Sequence, residues 1–236
     1  MKFMSLALVA TLMLAGCAQA NESVIRKALA KQFPGAPISS IKKTPYSGLY
    51  EVYLDGQLVY VDARANYVFA GDVIDLSSRR NLTQARLNQL QAVNWDSLPL
   101  SNAIKTVKGN GARKLVVFSD IDCPYCRKFE AELARVDNIT VYTFLYPIEG
   151  LHPKAVKTSK QIWCAPDRNK AWDDYISSGS VPNNDGRCAN PVEATIALGN
   201  KLKVSGTPTI IFANGQRVPG MVPAAQLERL LATHAK

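Results

Sequence analysis

The sequence predicts an α+β domain over residues 21–77 and an α/β domain over residues 99–236, joined by a linker helix over residues 78–98. In the first part, the strong hairpin signal Asp55-Gly56 lies between two strand-like runs. From Arg113 onward, short apolar strands alternate with helical segments, as they do in α/β domains. The chain has 236 residues, enough for two cores, and its hydrophobic content of 47% argues against a disordered chain.

The first domain is predicted to hold one helix and four short strands. Ser23 and the apolar residues after it have helical spacing, and the helix should end before Pro34-Gly35. The predicted strands are Ile38–Lys43, Leu49–Leu54, Gln57–Asp62 and Tyr67–Ala70. A unit of this size is marginally stable alone, and its edge strands leave backbone groups unpaired. We therefore hypothesise that two copies of the chain pair through a sheet edge.

The second domain follows a loose helical stripe and a break at Asp96–Pro99. Its predicted strands are Lys114–Phe118, Ile139–Leu145, Thr209–Phe212 and Gln216–Val218. Helices are expected after the first of these strands, within residues 152–202, and from Pro223 to Thr233. The order βαβ, helical insertion, ββα predicts a thioredoxin-fold α/β domain with a helical insertion.

The first 20 residues predict export. A basic start, the apolar run Phe3–Leu14 and small residues up to Ala20 have the order of a secretory signal peptide. Cleavage after Ala20 would leave the protein in the periplasm. Residues Leu14–Cys17 also resemble a bacterial lipobox, so a lipid anchor at Cys17 is the alternative. No later run is long and apolar enough to cross a membrane.

The net charge of +9 does not by itself indicate a nucleic-acid-binding function. Lysine and arginine occur singly or in pairs, such as Lys42-Lys43 and Arg79-Arg80, and form no long basic run. Because no nucleic-acid-binding motif accompanies them, the excess charge predicts a solvated surface and no nucleic-acid partner.

Four cysteines follow the signal, namely Cys123, Cys126, Cys164 and Cys188. Disulfides are the default in an oxidising compartment, and four cysteines allow three pairings. The two-residue gap between the first two favours a local pair, which would leave Cys164 for Cys188. That second bridge would close a loop of about 25 residues, and the chain-entropy model values it at roughly 3.5 kcal/mol. We predict that it is structural.

The Cys123–Cys126 pair is predicted to be redox-active. A bridge that closes so small a loop removes little entropy from the unfolded chain, so it is a poor staple. A zinc site needs further ligands, and His152 and His234 lie without ligand spacing, so no metal is expected. The pair follows an apolar strand and begins a helix, where unpaired N–H groups and the helix dipole stabilise a thiolate.

Within this pair, Cys123 is the candidate nucleophile and Cys126 the thiol that resolves a mixed disulfide. Pro124 suits a first helical position because it needs no N–H partner. Asp122 opposes the arrangement, because a neighbouring carboxylate disfavours a thiolate.

Several further motifs can be grouped with this pair. They are Asp120 with Cys123–Cys126, Ile162–Ala165 with Asp167, Asn169–Ala171, Asp173-Asp174, Val204–Pro208 and Val218–Gly220. Together they resemble the periplasmic protein disulfide isomerases of the DsbC and DsbG type, over essentially the whole chain after the signal. The dipeptide Pro124-Tyr125 is usual in the DsbG type, whereas the pair Cys164 and Cys188 is a DsbC-type feature. The longer motif around that pair favours the DsbC type.

The resemblance implies a cystatin-like dimerisation domain, a helical linker and a thioredoxin-fold catalytic domain in a V-shaped homodimer. It implies a cis peptide bond before Pro208, facing the cysteine pair, and a substrate-binding role for Tyr125, Thr207 and Pro208. It also identifies Cys164 and Cys188 with the structural disulfide of the family.

We therefore expect a thiol:disulfide interchange enzyme that isomerises incorrect disulfides in misfolded exported proteins and uses no cofactor. The resemblance implies that a DsbD-type membrane reductase keeps the cysteine pair reduced. One alternative is a DsbG-like reductase of sulfenylated cysteines, and another is a dimeric chaperone with secondary redox activity. A simple DsbA-like oxidase is disfavoured because residues 21–95 would have no role in it.

Overall fold

The structure is a computed structural model that describes residues 21–46 and 48–234. It divides into two compact units between Gln91 and Ala92. The predicted signal peptide, with Cys17, lies outside the described residues. A search of the described helices finds none with the length and hydrophobicity of a transmembrane segment. The finer sequence-based division into residues 21–77, 78–98 and 99–236 stays a proposal.

The N-terminal unit packs one helix on an antiparallel sheet of order β1-β2-β3-β4. Helix α1 covers residues 21–32, and the strands are β1 Ile38–Lys43, β2 Tyr50–Leu54, β3 Gln57–Val61 and β4 Val68–Phe69. Asp55 and Gly56 join β2 to β3 with φ angles of 46° and 83°, the positive values that a two-residue hairpin requires. Ile25 and Leu29 of this helix are buried in one core with residues of the sheet.

A short hairpin and a helix complete this unit. Strand β5 Ile74–Asp75 pairs with β6 Arg80–Asn81, and helix α2 Leu82–Leu90 follows at once. The side chain of Asn81 caps α2 by accepting from the Gln84 N–H at 2.8 Å. Residues 78–98 were expected to form one helix. Helix α2 begins later than expected because Arg79, with a φ of 56°, lies in the turn between β5 and β6, a hairpin that the sequence does not predict.

The C-terminal unit contains a five-stranded sheet of order β11-β10-β8-β9-β7. The strands are β7 Ile104–Lys108, β8 Arg113–Ser119, β9 Ile139–Leu145, β10 Thr209–Phe212 and β11 Arg217–Pro219. Strands β8 and β9 are parallel, and the other neighbouring pairs are antiparallel. The sequence analysis did not predict edge strand β7, because its lysines and threonine give it the composition of a surface segment.

Helices cover both faces of this sheet. They are α3 Pro124–Leu133, α4 Ala155–Trp163, α5 Arg168–Ser178, α6 Val192–Lys201 and α7 Ala224–His234. Leu115 and Val117 of β8 pack in the core with α3 and α7. Val116 and Phe118 point into a second core, which also holds Tyr146. Strand β8 is therefore buried on both faces and carries its last residues into the interior.

Helix α6 approaches the sheet closely at Gly199. A Cβ atom at this position would lie 2.3 Å from Cε2 of the Tyr146 ring. That ring cannot easily move, because the Tyr146 hydroxyl donates to Asn200 Oδ1 at 2.8 Å. Glycine is therefore required here by packing rather than by its backbone conformation.

We expect Gly199→Ala to destabilise the protein by about 1 to 3 kcal/mol through overpacking. This is opposite to the usual effect, since replacing glycine by alanine inside a helix ordinarily stabilises it by about 1 kcal/mol. Denaturant unfolding of both variants checks this, with Gly150→Ala as the control because nothing lies within 4 Å of a Cβ there. A stability gain in Gly199→Ala would contradict the packing argument.

Candidate active site

Among the described residues, two cysteines form no disulfide, and both lie at the start of α3. Cys123 takes the N-cap position, and Cys126 lies in the first turn of the helix. The backbone carbonyl of Cys123 accepts from the N–H groups of Cys126 at 3.1 Å and Arg127 at 3.2 Å. Pro124 begins the helix, and the Cys123 side chain makes no capping hydrogen bond. The thiol therefore lies at the start of a helix, where the helix dipole favours negative charge.

The two thiols differ in accessibility. The exposed fraction is 7% for Cys123 and 1% for Cys126. Burial raises the pKa of the Cys126 thiol to about 12. Cys126 therefore keeps its proton at neutral pH, and Cys123 is the more exposed of the two thiols.

The loop before β10 lies against this pair. The Cys123 thiol donates to the carbonyl oxygen of Thr207 at 3.3 Å. The bond between Thr207 and Pro208 is cis, which confirms the expectation from the resemblance. The Pro208 carbonyl accepts from the Gly220 N–H at 2.7 Å, which ties the loop to the end of β11. Cys123, Thr207 and Pro208, distant in sequence, thus share one site.

Tyr125 lies between the two cysteines on the outer side of the first turn. Its side chain is 58% exposed, and Lys128 Nζ lies 5.4 Å from the centre of its ring. An exposed aromatic ring beside a reactive thiol offers a contact surface for a substrate chain.

Asp120, just after β8, anchors the active-site turn. It is fully buried. Its Oδ1 accepts from the Asp122 N–H at 2.9 Å, and its Oδ2 accepts from the Ile148 N–H at 2.7 Å and contacts His152 Nδ1 at 2.9 Å. The Asp120 carbonyl accepts from the Cys123 N–H at 3.1 Å. This one residue therefore joins the turn to the segment that follows β9.

Asp122 is oriented by a second long-range contact. Its Oδ1 accepts from the Tyr175 hydroxyl at 2.5 Å. His152 and Tyr175 lie 32 and 53 residues from their carboxylate partners. The sequence analysis missed both contacts because no spacing rule connects positions so far apart.

Cys164 and Cys188 form a disulfide with an S–S distance of 2.00 Å. Cys164 caps the end of α4, and the bridge encloses α5 within the helical insertion. Hydrogen bonds between Gln161 and Asn184 run beside it, at 2.7 Å and 3.0 Å. The bridge thus belongs to the inserted helices rather than to the active-site turn.

Together the fold and the free cysteine pair define the class of thiol–disulfide oxidoreductases. A family model described as a thioredoxin-like domain matches residues 100–235. A second, described as a disulfide bond isomerase protein N-terminal domain, matches residues 16–84. The probable thiol:disulfide interchange protein DsbC of Bordetella parapertussis is 42% identical over 207 residues, which are 88% of this chain and 73% of that protein.

Two further comparisons agree. The thiol:disulfide interchange protein DsbC of Escherichia coli strain K12 is 32% identical over 224 residues, covering 94% of this chain and 92% of that protein. A crystal structure of a disulfide interchange protein from Neisseria gonorrhoeae superposes with a TM-score of 0.57 at 43% identity, covering 59% of this chain and 99% of that one. The chain belongs to the DsbC family of thiol:disulfide interchange proteins.

Family membership confirms the expected fold, an α+β domain before a thioredoxin-like one, and the expected activity, that of a protein disulfide isomerase. It supports a homodimer, a periplasmic location and disulfide-containing substrates. These relatives favour the isomerase over the DsbG-like reductase and the chaperone.

A half-buried acid, Glu130, lies one turn beyond Cys126 on α3. Glu130 lines a cavity of about 620 Å³ between α3, α5 and the sheet, with Trp172 and Asp173. Its Oε1 atom is buried without a hydrogen-bond partner. Burial first, and the charge of Asp173 second, raise the pKa of Glu130 to about 7.

We expect Glu130→Gln to stabilise the protein at pH 8 by about 2 to 3 kcal/mol and to have little effect at pH 4. The sign follows from the raised pKa of Glu130. Below an unfolded-state pKa near 4.5, both states hold the proton. As the pH rises to about 7, the unfolded state releases its proton first, so folding of the natural chain weakens.

Denaturant unfolding at both pH values measures the effect of Glu130→Gln. The exposed Glu149 supplies the control variant Glu149→Gln, which should change stability by less than about 0.5 kcal/mol at either pH. Equal effects of Glu130→Gln at pH 4 and pH 8 would show that burial does not penalise the charged carboxylate.

Proposed function

We propose that Cys123 is the nucleophile of disulfide isomerisation in this chain and that Cys126 is its resolving thiol. The observation that carries this proposal is the difference between the two thiols. Cys123 lies at the start of α3 and 3.3 Å from the Thr207 carbonyl, whereas Cys126 is buried with a pKa of about 12. Attack needs a stabilised and reachable thiolate, which fits Cys123.

In the first step, the Cys123 thiolate attacks one sulfur of a wrongly formed disulfide. The substrate S–S bond breaks as a Cys123–substrate S–S bond forms, and the other substrate sulfur leaves as a thiolate that takes a proton. A different substrate thiolate then attacks the mixed disulfide. The new substrate disulfide forms, Cys123 leaves as a thiolate, and no net oxidation occurs.

A second route rescues a mixed disulfide that does not rearrange. Cys126 gives up its proton and attacks the sulfur of Cys123, which releases the substrate as a dithiol and leaves the pair oxidised. Two electrons and two protons must then return to the pair. We propose that a DsbD-type membrane reductase supplies the electrons. The chain would then act in the periplasm, after its signal peptide is removed. Cleavage would fall either after Ala20 or just before Cys17, which would then carry a lipid.

The substrate backbone would lie in extended form along the loop of Thr207 and Pro208. This loop contacts Cys123, and its own backbone is fixed by the bond from the Gly220 N–H to the Pro208 carbonyl. The exposed ring of Tyr125 would contact the substrate on the other side. The disulfide between Cys164 and Cys188 would stabilise the fold and take no part in exchange, because it lies in the helical insertion and not in the active-site turn.

We further propose that the homodimer pairs through β4. This strand has two residues and forms one edge of the N-terminal sheet. Tyr67, Val68 and Phe69 are 69%, 43% and 52% exposed. An exposed apolar edge strand is prone to pair with another chain, and a second copy of this strand would satisfy its backbone groups and cover its side chains.

We expect Cys123→Ser to reduce the refolding of a scrambled multi-disulfide enzyme to the rate seen without added protein, because the attacking sulfur is gone. Cys126→Ser is the matched variant. It should keep part of the isomerisation and accumulate a Cys123–substrate disulfide, which mass spectrometry without reduction detects. Refolding activity retained in Cys123→Ser would contradict the assignment.

We expect Phe69→Lys to convert the dimer to a monomer at micromolar concentration, because a lysine at the strand edge opposes pairing. Light scattering coupled to size exclusion measures the mass. Ser39→Lys provides the control, because Ser39 lies exposed on β1 at the opposite edge of the same sheet and should leave the dimer intact. A dimeric Phe69→Lys protein would exclude β4 as the interface.

A further inference from the structure

An acidic residue directly precedes the proposed nucleophile. Asp122 is next to Cys123 in the chain, so a carboxylate free to turn toward Cys123 would approach its sulfur. Two like charges brought close together disfavour each other, which would slow attack by a Cys123 thiolate. A fold that uses Cys123 as a nucleophile therefore needs some means of keeping this carboxylate away from the sulfur.

The Asp122 carboxylate is held by a residue of the helical insertion. The Tyr175 hydroxyl on α5 donates to Asp122 Oδ1 at 2.5 Å. Tyr175 is 8% exposed, and burial together with this bond raises the pKa of its phenol to about 12. The hydroxyl therefore keeps its proton and remains a donor throughout the pH range of thiol exchange.

Other charged groups surround the same contact. The guanidinium of Arg127 on α3 lies 5.8 Å from the centre of the Tyr175 ring and lowers the pKa of the phenol, against the effect of Asp122. Asp120 adds a second negative charge, but its carboxylate already bonds to the Ile148 and Asp122 N–H groups and contacts His152. Tyr175 is thus the group in direct hydrogen-bond contact with the carboxylate of Asp122.

We propose that Tyr175 is a positioning residue for thiol exchange: its hydroxyl holds the Asp122 carboxylate toward α5 and so protects the Cys123 thiolate from it. The inference rests on the proposed role of Cys123 as the nucleophile. It gives the helical insertion a part in reactivity, because α5 reaches the active-site turn through this bond.

The test follows alkylation of Cys123 by iodoacetamide in the reduced full-length chain from pH 5 to pH 10, by mass spectrometry of the Cys123 peptide. Tyr175→Phe removes the hydroxyl and keeps the ring. We expect alkylation at pH 7 to slow by about threefold to tenfold, and the pH profile to move upward, because the freed carboxylate repels the thiolate.

A double-mutant cycle separates this effect from a loss of packing. In the Asp122→Asn background no carboxylate is present, so adding Tyr175→Phe should change the alkylation rate less than twofold. Asp122→Asn should thus rescue Tyr175→Phe. Tyr146→Phe is the matched control, since it removes another buried hydroxyl that donates to a side-chain oxygen, and its pH profile should match that of the natural chain.

Three outcomes would overturn the proposal. The first is an unchanged profile in Tyr175→Phe, and the second is equal slowing with and without Asp122. If Tyr175→Phe does not fold, the Asp122→Asn variant alone decides. A tenfold faster alkylation of Cys123 in Asp122→Asn would show that the carboxylate repels the thiolate even when Tyr175 is present, so that Tyr175 does not protect it. Failure of the nucleophile assignment is distinguishable, because Cys123 would then resist alkylation in the natural chain at every pH.

Discussion

The buried carboxylate of Asp120 is the constraint on which the active-site turn depends. A carboxylate removed from water costs several kcal/mol unless hydrogen bonds replace its hydration. Here the backbone N–H groups of Asp122 and Ile148 and the ring of His152 supply those bonds. Satisfying this one group therefore fixes the end of β8, the turn before Cys123 and the segment after β9 relative to one another. The start of α3, and with it Cys123, is positioned by the same bonds.

The two cysteines acquire different properties from one short helical turn. Cys123 lies at the helix start, where the helix dipole favours negative charge, and its thiol donates to the Thr207 carbonyl. Cys126 turns into the core, where loss of hydration keeps its proton bound. In the proposed mechanism Cys123 attacks first, and Cys126, which keeps its proton, attacks more slowly. A mixed disulfide would therefore rearrange before Cys126 reduces it, which suits an isomerase.

The helical insertion does more than extend the domain. Its disulfide encloses α5, and α5 carries the tyrosine that bonds to Asp122. The disulfide between Cys164 and Cys188 limits the conformations available to this segment. Trp172 and Tyr175 of α5 are also buried together in one core. A structural bridge that lies outside the active site can therefore influence the group beside the nucleophile through the placement of Tyr175.

Local features of this protein could be read from the sequence, because neighbouring residues alone determine them. The Asp55-Gly56 turn, the apolar strand predicted over Lys114–Phe118 and the cysteine pair at a helix start are of this kind. Tertiary structure decided what depends on distant residues. The polar edge strand Ile104–Lys108 pairs only because β9 lies beside it, and His152 and Tyr175 reach their carboxylates only because the insertion folds back over the turn. Hydrogen bonds between residues 32 and 53 positions apart leave no local pattern, since they are selected by the packing of whole elements.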